Sequence, residues 1–384
     1  MLSVWITSSP QSAKVPTNIA LGNFDGVHLG HQQVMAQIFA SSTPLSAPST
    51  IQPAFQSTLS AQSIATLHGE ILASGSSHWP NQPPAILGTE LQEAELLSEP
   101  LESMAKSKAS ASLDTHPFAT VVTFSPHPRE YFSGTSRSLL TPIAEKTWQL
   151  SQLGIEQLVL LPFNQALSEL SPEDFVEQIL IKGLGARQIS VGSDFRFGKG
   201  RSGNADGLKV IAARHNVPVT QVSLKYDEQG DRISSSRIRT ALDTGHPDVA
   251  TQLLGRPYTR TGKVVQGKQL GRTIGFPTAN LHVPSNKYLP RTGVYSVRVY
   301  GVQSPEGRLD SGLKGIMNIG NRPTVNGQSL SIEVHLLDWS GDLYDQILTV
   351  SLEEFVRPEQ KFDSLERLKE QIGADCRRVH LSLT

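Results

Sequence analysis

Cysteine is almost missing from this chain. Cys376 stands alone among 384 residues, which excludes an internal disulfide framework and any thiolate metal cluster. Such usage suits a reducing compartment, and the expected location is the cytoplasm. Long apolar runs are missing as well: no stretch of about 18 apolar residues is present, so no membrane span is expected. The first residues lack a basic segment leading into an apolar one, so no secretory signal is expected either. Nor is there an excess of charge. With 34 Lys and Arg against 35 Asp and Glu, the net charge is -1. That balance leaves no footprint for nucleic acid or for an acidic surface.

What is present suffices for a packed core. Hydrophobic residues make up 38% and charged residues 18%, proportions of a globular rather than a disordered chain. The length suits two or three domains and leaves a homo-oligomer open. Residues 40–117 stand apart. Ser, Ala, Gln, Pro and Thr dominate there, as in Ser41-Ser-Thr-Pro-Leu-Ser-Ala-Pro-Ser-Thr50. Such a segment buries too little apolar surface to offset its ordering entropy, so a disordered insertion is expected. A weak helix around Glu90–Lys106 is its one expected element.

Elsewhere in the first half, strands and helices alternate. Ile19–Leu21, Ala119–Phe124, Leu158–Leu161, Gln188–Val191 and Val217–Leu224 read as strands. Ile143–Leu153 and Leu208–Ala213 read as helices. So does the segment opened by Ser171-Pro-Glu-Asp174, with Val176, Ile179 and Leu180 as its apolar face. This order predicts an α/β domain, a parallel sheet with helices on both faces. Ligands of such sheets sit beyond the carboxyl ends of the strands. From about Gly262 the apolar period falls to two. Val294–Tyr300, Leu330–Leu336 and Ile347–Phe355 alternate, with turn residues such as Asn326-Gly327 between them. Short alternating strands predict a small antiparallel β-barrel. A C-terminal helix follows: Asp363-Ser-Leu-Glu366 resembles a capping box, and Leu365, Leu368, Ile372 and Val379 keep helical spacing. The boundary is expected near Leu254–Tyr258, giving domains 1–253 and 254–384.

The densest motif is Gly22-Asn-Phe-Asp-Gly26-Val-His28-Leu-Gly30-His31. It follows the first strand and precedes a helical run carrying Val34 and Ile38. His28 and His31 fall on one face of the first helical turn. A helix N-terminus offers unpaired N–H groups and the positive end of its dipole. Adding two imidazoles makes a site for a polyphosphate that needs no Walker lysine.

Three more segments have the look of site loops. Phe124-Ser-Pro-His127-Pro-Arg129 follows a strand end, with prolines holding His127 outward. Gly192-Ser-Asp-Phe-Arg-Phe-Gly198 sets Asp194, Phe195 and Phe197 between glycines, which suits a pocket for a planar ring. Ile233-Ser-Ser-Ser-Arg-Ile-Arg239 opens a helix with three hydroxyls and two guanidinium groups, an anion cradle. Gly262-Lys-Val-Val-Gln-Gly-Lys-Gln269 approaches Walker A spacing. Gln269 replaces the required hydroxyl and Val264-Val265 reads as strand, so no P-loop is expected.

In this order the segments resemble the prokaryotic bifunctional riboflavin kinase/FAD synthetase family. Gly275-Phe-Pro-Thr-Ala-Asn280 is similar to that family's kinase P-T-A-N motif; Ile319–Thr324 and Glu333–Asp338 are similar to the strands that follow it. The resemblance covers nearly all of the chain outside 40–117. It implies a Rossmann-like nucleotidyltransferase domain followed by a β-barrel kinase domain with a C-terminal helix. The implied activities are phosphorylation of riboflavin to FMN and adenylylation of FMN to FAD, with ATP as co-substrate and Mg²⁺ or a similar divalent metal as cofactor. For adenylyl transfer it implies His28, His31, Arg237 and Arg239 as catalytic groups. Gly22, Asn23, Phe24, Asp25, Gly26, Ser234, Ser235 and Ser236 would then bind ATP, and His127, Pro128, Asp194, Phe195 and Phe197 the flavin. For the kinase it implies Glu333 as the base and Thr278 and Asn280 as metal ligands. Gly262, Gly267, Gly271, Phe276 and Pro277 would surround ATP, with Arg357 and Leu365 near the flavin.

Two positions depart from the family pattern. Ser236 stands where threonine is usual and keeps the hydroxyl. Asp345 follows Leu343-Tyr344 where glycine is usual, so a local backbone change is expected there. Two other functions remain compatible with parts of the sequence. One is adenylyl transfer to another phosphate-bearing acceptor, which the barrel motifs disfavour. The other is a silent flavin- or nucleotide-binding regulator, which the retained His28, His31, Thr278, Asn280 and Glu333 disfavour.

Overall fold

The computed structural model describes residues 4–39, 116–267, 270–304, 307–309, 312–324 and 327–382. The expected insertion lies outside the described residues up to residue 115, and with it the helix expected around Glu90–Lys106. Lys268 and Gln269 of the Walker-like stretch also lie outside them.

In the first half, β1 (Trp5–Thr7), β2 (Thr17–Leu21), β3 (Phe118–Ser125), β4 (Gln157–Pro162) and β5 (Ala186–Gly192) belong to one parallel sheet. After a ribbon of β6 (Arg196–Phe197) and β7 (Gly203–Asn204), β8 (Val219–Val222) completes it. The strand order is β1-β4-β3-β2-β5-β8. Every residue of β2 is buried, as both-face coverage requires. Ile19 and Leu21 pack with Phe175, Leu180 and Leu208. Ala20, pointing the other way, packs with Val34, Met35 and Leu150. These partners sit on α1 (Leu29–Ala36), α3 (Ile143–Gln152), the helical stretch Phe175–Gly183 and α4 (Ala205–Ala213); a short α2 (Pro128–Ser133) follows β3. The expected βαβα order is thus observed. The edge strand β1, three residues long, is too short to carry a periodic signal. Ser171 does cap its helix, accepting from Asp174 N at 3.0 Å. The helix then continues in π form, Leu184 N bonding back to Ile179 O at 3.0 Å. The helices α5 (Ser235–Thr244) and α6 (Pro247–Leu254) close the half.

The second half is a closed antiparallel barrel. Its strands are β9 (Tyr258–Val265), β10 (Ala279–His282), β11 (Gly293–Tyr300), β14 (Leu313–Thr324), β15 (Gly327–Leu336) and β16 (Ile347–Arg357); the small hairpin β12 (Val302–Ser304) and β13 (Gly307–Leu309) projects between β11 and β14. Tyr295, Val297 and Val299 fill the interior with Ile332, Val334 and Leu336, following the alternation read from sequence. Gly262–Val265 is strand, as read from the sequence for Val264-Val265. The C-terminal helix α7 (Leu365–Ser382) buries Val379 against Val294, Ile316, Leu337 and Val356. Two details differ from expectation. Ser364, not Asp363, caps this helix, its Oγ accepting from Arg367 N at 3.2 Å. Leu365 is 57% exposed, so only the C-terminal part of the apolar stripe is covered. The two halves share one core: Leu140, Ile238, Leu242 and Leu253 pack in the same cluster as Tyr258, Val264 and Val297.

Candidate active site

The carboxyl ends of β2, β3 and β5 open into a cavity of about 1020 Å³, room for more than one cofactor-sized ligand. Its floor is the turn after β2. Phe24 (φ 49), Gly26 (φ 95) and Val27 (φ 44) all take left-handed backbone there. The two side-chain-bearing residues each store on the order of 1–3 kcal/mol, so the surroundings must over-determine the turn. They do. Asp25 Oδ1 accepts from Leu140 N at 2.8 Å and Thr141 N at 3.3 Å. Gly26 N donates to Thr141 Oγ1 at 2.9 Å. Arg256 donates to Gly26 O at 2.9 Å and to Val27 O at 3.3 Å.

This turn delivers the two histidines. His28 caps α1, its Nδ1 accepting from His31 N at 3.3 Å. The imidazoles stack with centroids 3.5 Å apart, and Phe24 meets His31 edge-on at 5.3 Å. Burial lowers the His28 pKa to about 4; Arg232 and Arg256 add to the effect and Asp25 opposes it. Burial holds His31 well below its usual value, aided by His28, Lys146 and Arg256. Both rings are therefore neutral near pH 7. Because Nδ1 of His28 accepts, its proton sits on Nε2, which is then a donor. Nδ1 of His31 is buried without a hydrogen-bond partner, an atom that an arriving ligand can satisfy.

A second helix N-terminus faces the same cavity. Ser234 caps α5, accepting from Arg237 N at 3.3 Å, and Ser235 Oγ donates to Asp25 O at 2.6 Å. With Ser236 they line the cavity, as do Gly22, Asn23, Phe24 and Asp25. The two arginines do not. Arg239 is held by the Asp25 carboxylate and by Ser138 O at 3.2 Å. Arg237 turns to Asp227 at 2.5 Å and Asp231 at 3.3 Å. Residues two apart on a helix point about 200° apart, so they could not both face one ligand. Arg137, Lys225 and Arg232 line the cavity instead. Arg232 pairs with Asp194, and its place beside the Ser234–Ser236 run was the available sequence signal.

The remaining wall is rich in aromatic rings. His127 caps α2, accepting from Arg129 N at 3.0 Å, while Glu130 reaches back to His127 N at 3.0 Å. Burial lowers its pKa to about 4, with Arg137 adding to the shift. His127, Pro128, Asp194, Phe195 and Phe197 all line the cavity. Phe195 and Phe197 stack at 5.7 Å, and Phe197 also belongs to the sheet core. Phe132 and Phe163 were missed by sequence reading. They meet edge-to-face at 5.7 Å on the same wall, and Phe132 is 71% exposed.

The barrel carries a separate polar cluster. Asn280 on β10 lies opposite Glu333 on β15, so their side chains share a face. Thr278 Oγ1 donates to Glu333 Oε2 at 3.3 Å, and Ser331 Oγ to Oε1 at 3.0 Å. Backbone packs tightly around the cluster. A Cβ on Gly267 would stand 2.1 Å from Asn280 Nδ2; one on Gly271 would stand 2.3 Å from Phe276 O, and one on Gly262 2.6 Å from His282 O. Pro277 and Thr278 border a cavity of about 350 Å³ that also reaches Arg272, Trp339 and Tyr344. Phe276 packs edge-on against His335, whose Nδ1 meets Pro277 O at 2.8 Å. Asp345 takes the left-handed conformation itself (φ 62) and pairs with Lys263 at 2.7 Å, so the glycine-like turn is kept. The two residues expected near a flavin in this half lie on β16 and at the start of α7. Arg357 binds Asp375 of α7 at 2.9 Å, and Leu365 is exposed at the open end of that helix.

The comparisons with known proteins divide the chain in the same way. The model of the FAD synthetase family matches residues 10–58 and 103–237, and that of the riboflavin kinase family matches residues 254–383. A bifunctional riboflavin kinase/FMN adenylyltransferase of Pseudomonas fluorescens is 40% identical over 66% of this chain and 79% of its own length. The protein of that description from Escherichia coli K12 is 39% identical over the same shares. A solved structure described as a macrolide-efflux protein from Streptococcus pneumoniae covers 97% of both chains with a TM-score of 0.69 at 24% identity, a likeness of fold. No helix among the described residues is long and apolar enough to cross a membrane.

Proposed function

The chain belongs to the bifunctional riboflavin kinase/FMN adenylyltransferase family and makes FMN from riboflavin and FAD from FMN with ATP; from that premise we propose that each step has its own site, the first in the barrel and the second in the sheet cavity. The observation that carries this is the separation of two phosphate-suited clusters. Stacked imidazoles at converging helix N-termini line one; the other is the Thr278–Asn280–Glu333 group on adjacent strands.

In the barrel, the ribityl 5′-hydroxyl of riboflavin attacks the γ-phosphorus of ATP and ADP leaves. Glu333 takes the hydroxyl proton, since the neutral alcohol is a poor nucleophile. Thr278 Oγ1 and the Asn280 side-chain oxygen are hard neutral donors of the kind Mg²⁺ accepts beside phosphates. Such an ion, when bound, neutralises charge on the transferring phosphoryl group. Gly262, Gly267, Gly271, Phe276 and Pro277 bring backbone close to the nucleotide.

In the sheet cavity, the FMN phosphate attacks the α-phosphorus of ATP and pyrophosphate leaves. No protein nucleophile takes part. His28, through Nε2–H, and His31 stabilise the charge that develops on the phosphate oxygens, together with the N-termini of α1 and α5. Asp25 and Arg239 shape the turn rather than touch the phosphates. The flavin lies against His127, Phe195 and the aromatic pair Phe132 and Phe163. The enzyme works in the cytoplasm, where its ATP is found.

The test is an incubation of the purified chain with riboflavin, ATP and Mg²⁺ that resolves FMN from FAD. The His28→Ala/His31→Ala double variant should lose FAD formation by about a hundredfold or more while FMN formation persists. Glu333→Gln should abolish FMN formation and leave FAD formation from added FMN. Equal loss of both activities in either variant contradicts separate sites.

A further inference from the structure

The connection between β10 and β11 reaches out of the barrel and grips the first half. Leu139 N donates to Asn286 O at 2.6 Å, and Tyr288 N donates to Leu139 O at 2.8 Å. Between them Lys287 is 3% exposed. Its Nζ donates to Leu140 O at 2.8 Å, pairs with Glu145 on α3, and sits 4.2 Å from the Tyr258 ring. The Tyr288 ring lies 5.1 Å from the Arg239 guanidinium, the group that holds Asp25. Tyr288 O is itself fixed by Tyr258 Oη at 2.7 Å and by Arg260 at 3.1 Å.

Leu139–Thr141 is thus held from both sides. Its outer side is bonded to the kinase half. Its inner side, through Leu140 N, Thr141 N and Thr141 Oγ1, carries Asp25 and Gly26. The left-handed turn that those bonds maintain ends in His28, the cap of α1.

We propose that Lys287 and Tyr288, residues of the kinase half, are positioning residues for adenylyl transfer in the other half. The Lys287 side chain clamps the Leu139–Thr141 strip on which the histidine-bearing turn is built, and the Tyr288 ring backs Arg239, which holds Asp25 of that turn. Neither touches a substrate; they fix where the imidazoles stand. A strained turn keeps its conformation only while its supports stay in register, and a shift of about 1 Å in a catalytic group costs on the order of a hundredfold in rate. Removing the Lys287 amine leaves Leu140 O and the Glu145 carboxylate without their buried partner. The strip, the turn and His28 then relax together, while the Thr278–Asn280–Glu333 face of the barrel is untouched.

This inference rests on the assignment of adenylyl transfer to the sheet cavity. The experiment measures both reactions on the full chain, FAD from FMN and FMN from riboflavin. Lys287→Met should lower kcat for FAD formation by about tenfold or more. KM for FMN, set by the aromatic wall, should stay within about threefold, and FMN formation within about twofold of the unaltered chain. Because Lys287→Met also strands Glu145, Tyr288→Leu is measured beside it. It removes the ring from Arg239 and the hydroxyl from Asp243, an exposed carboxylate, so no buried charge is left, and it should lower the same kcat by about fivefold. If Lys287→Met does not fold, Tyr288→Leu decides alone. An unchanged kcat for FAD formation in a folded variant overturns the inference. So does a parallel loss of both activities, which marks general destabilisation. The His28→Ala/His31→Ala chain is the control: if it still makes FAD at full rate, the site assignment fails, not merely the role of Lys287.

Discussion

At the scale of single residues, the imidazole of His28 carries a proton balance that reaches beyond catalysis. Folding holds its pKa at about 4 against an ordinary 6.5. The unfolded chain therefore binds a proton between pH 6.5 and 4 that the folded chain refuses. The sign follows: stability is complete above about pH 6.5 and declines as pH falls towards 4, by about 1.4 kcal/mol per pH unit for each such group. His28→Asn separates this term from the cap, because Asn also accepts from the helix N–H groups. Thermal unfolding at pH 7 and pH 5 should show the variant losing less on acidification, by about 2 kcal/mol. Parallel stability curves for the two chains would remove the argument. In the proposed site an approaching polyphosphate first meets neutral imidazoles near pH 7, and its negative charge favours their protonation.

At the scale of elements, the glycines around the barrel cluster act as spacers. Gly271 lies in the short turn Leu270–Thr273 that folds back onto the Pro277–Asn280 run, with Phe276 N bonded to Gly271 O at 2.8 Å. A Cβ there would meet the Phe276 carbonyl, which is backbone and cannot swing away. Gly271→Ala should therefore displace the turn from Thr278. FMN formation should fall by about tenfold or more with FAD formation from FMN retained; full kinase activity in that variant would refute the spacer role. Elements were also what sequence reading recovered best. The period of two in Val294–Tyr300 and the strand–helix order after residue 117 are local signals, and both survived. Lys287 and Arg239 show what was hidden. Their partners, Glu145 and Asp25, lie 142 and 214 residues away, and no local period encodes such a meeting. The cavity-lining Phe132 and Phe163 were hidden for another reason: an exposed aromatic on the short helix α2 and a half-buried one just after β4 carry no period, and only the folded cavity brings them together.

At the scale of the whole molecule, the two halves, to which we assign separate reactions, are not separate in packing. Leu140, Ile238, Leu242 and Leu253 from one half share a core with Tyr258, Val264 and Val297 of the other. Lys287, 3% exposed, is buried in that interface. The connecting Gly255 (φ 73) lies so close to α1 that a Cβ would stand 2.5 Å from Leu29 Cδ2. Separating the halves would expose apolar surface and a buried ion pair together, which is costly on both counts. The halves should accordingly unfold as one cooperative unit. In urea, loss of FMN formation and loss of FAD formation from FMN should share a midpoint, and both should coincide with loss of far-ultraviolet circular dichroism. If the two activities were instead lost at well-separated midpoints, with a plateau between them, the common core would contribute too little to couple the halves, and the clamp through Lys287 would lose its thermodynamic basis as well.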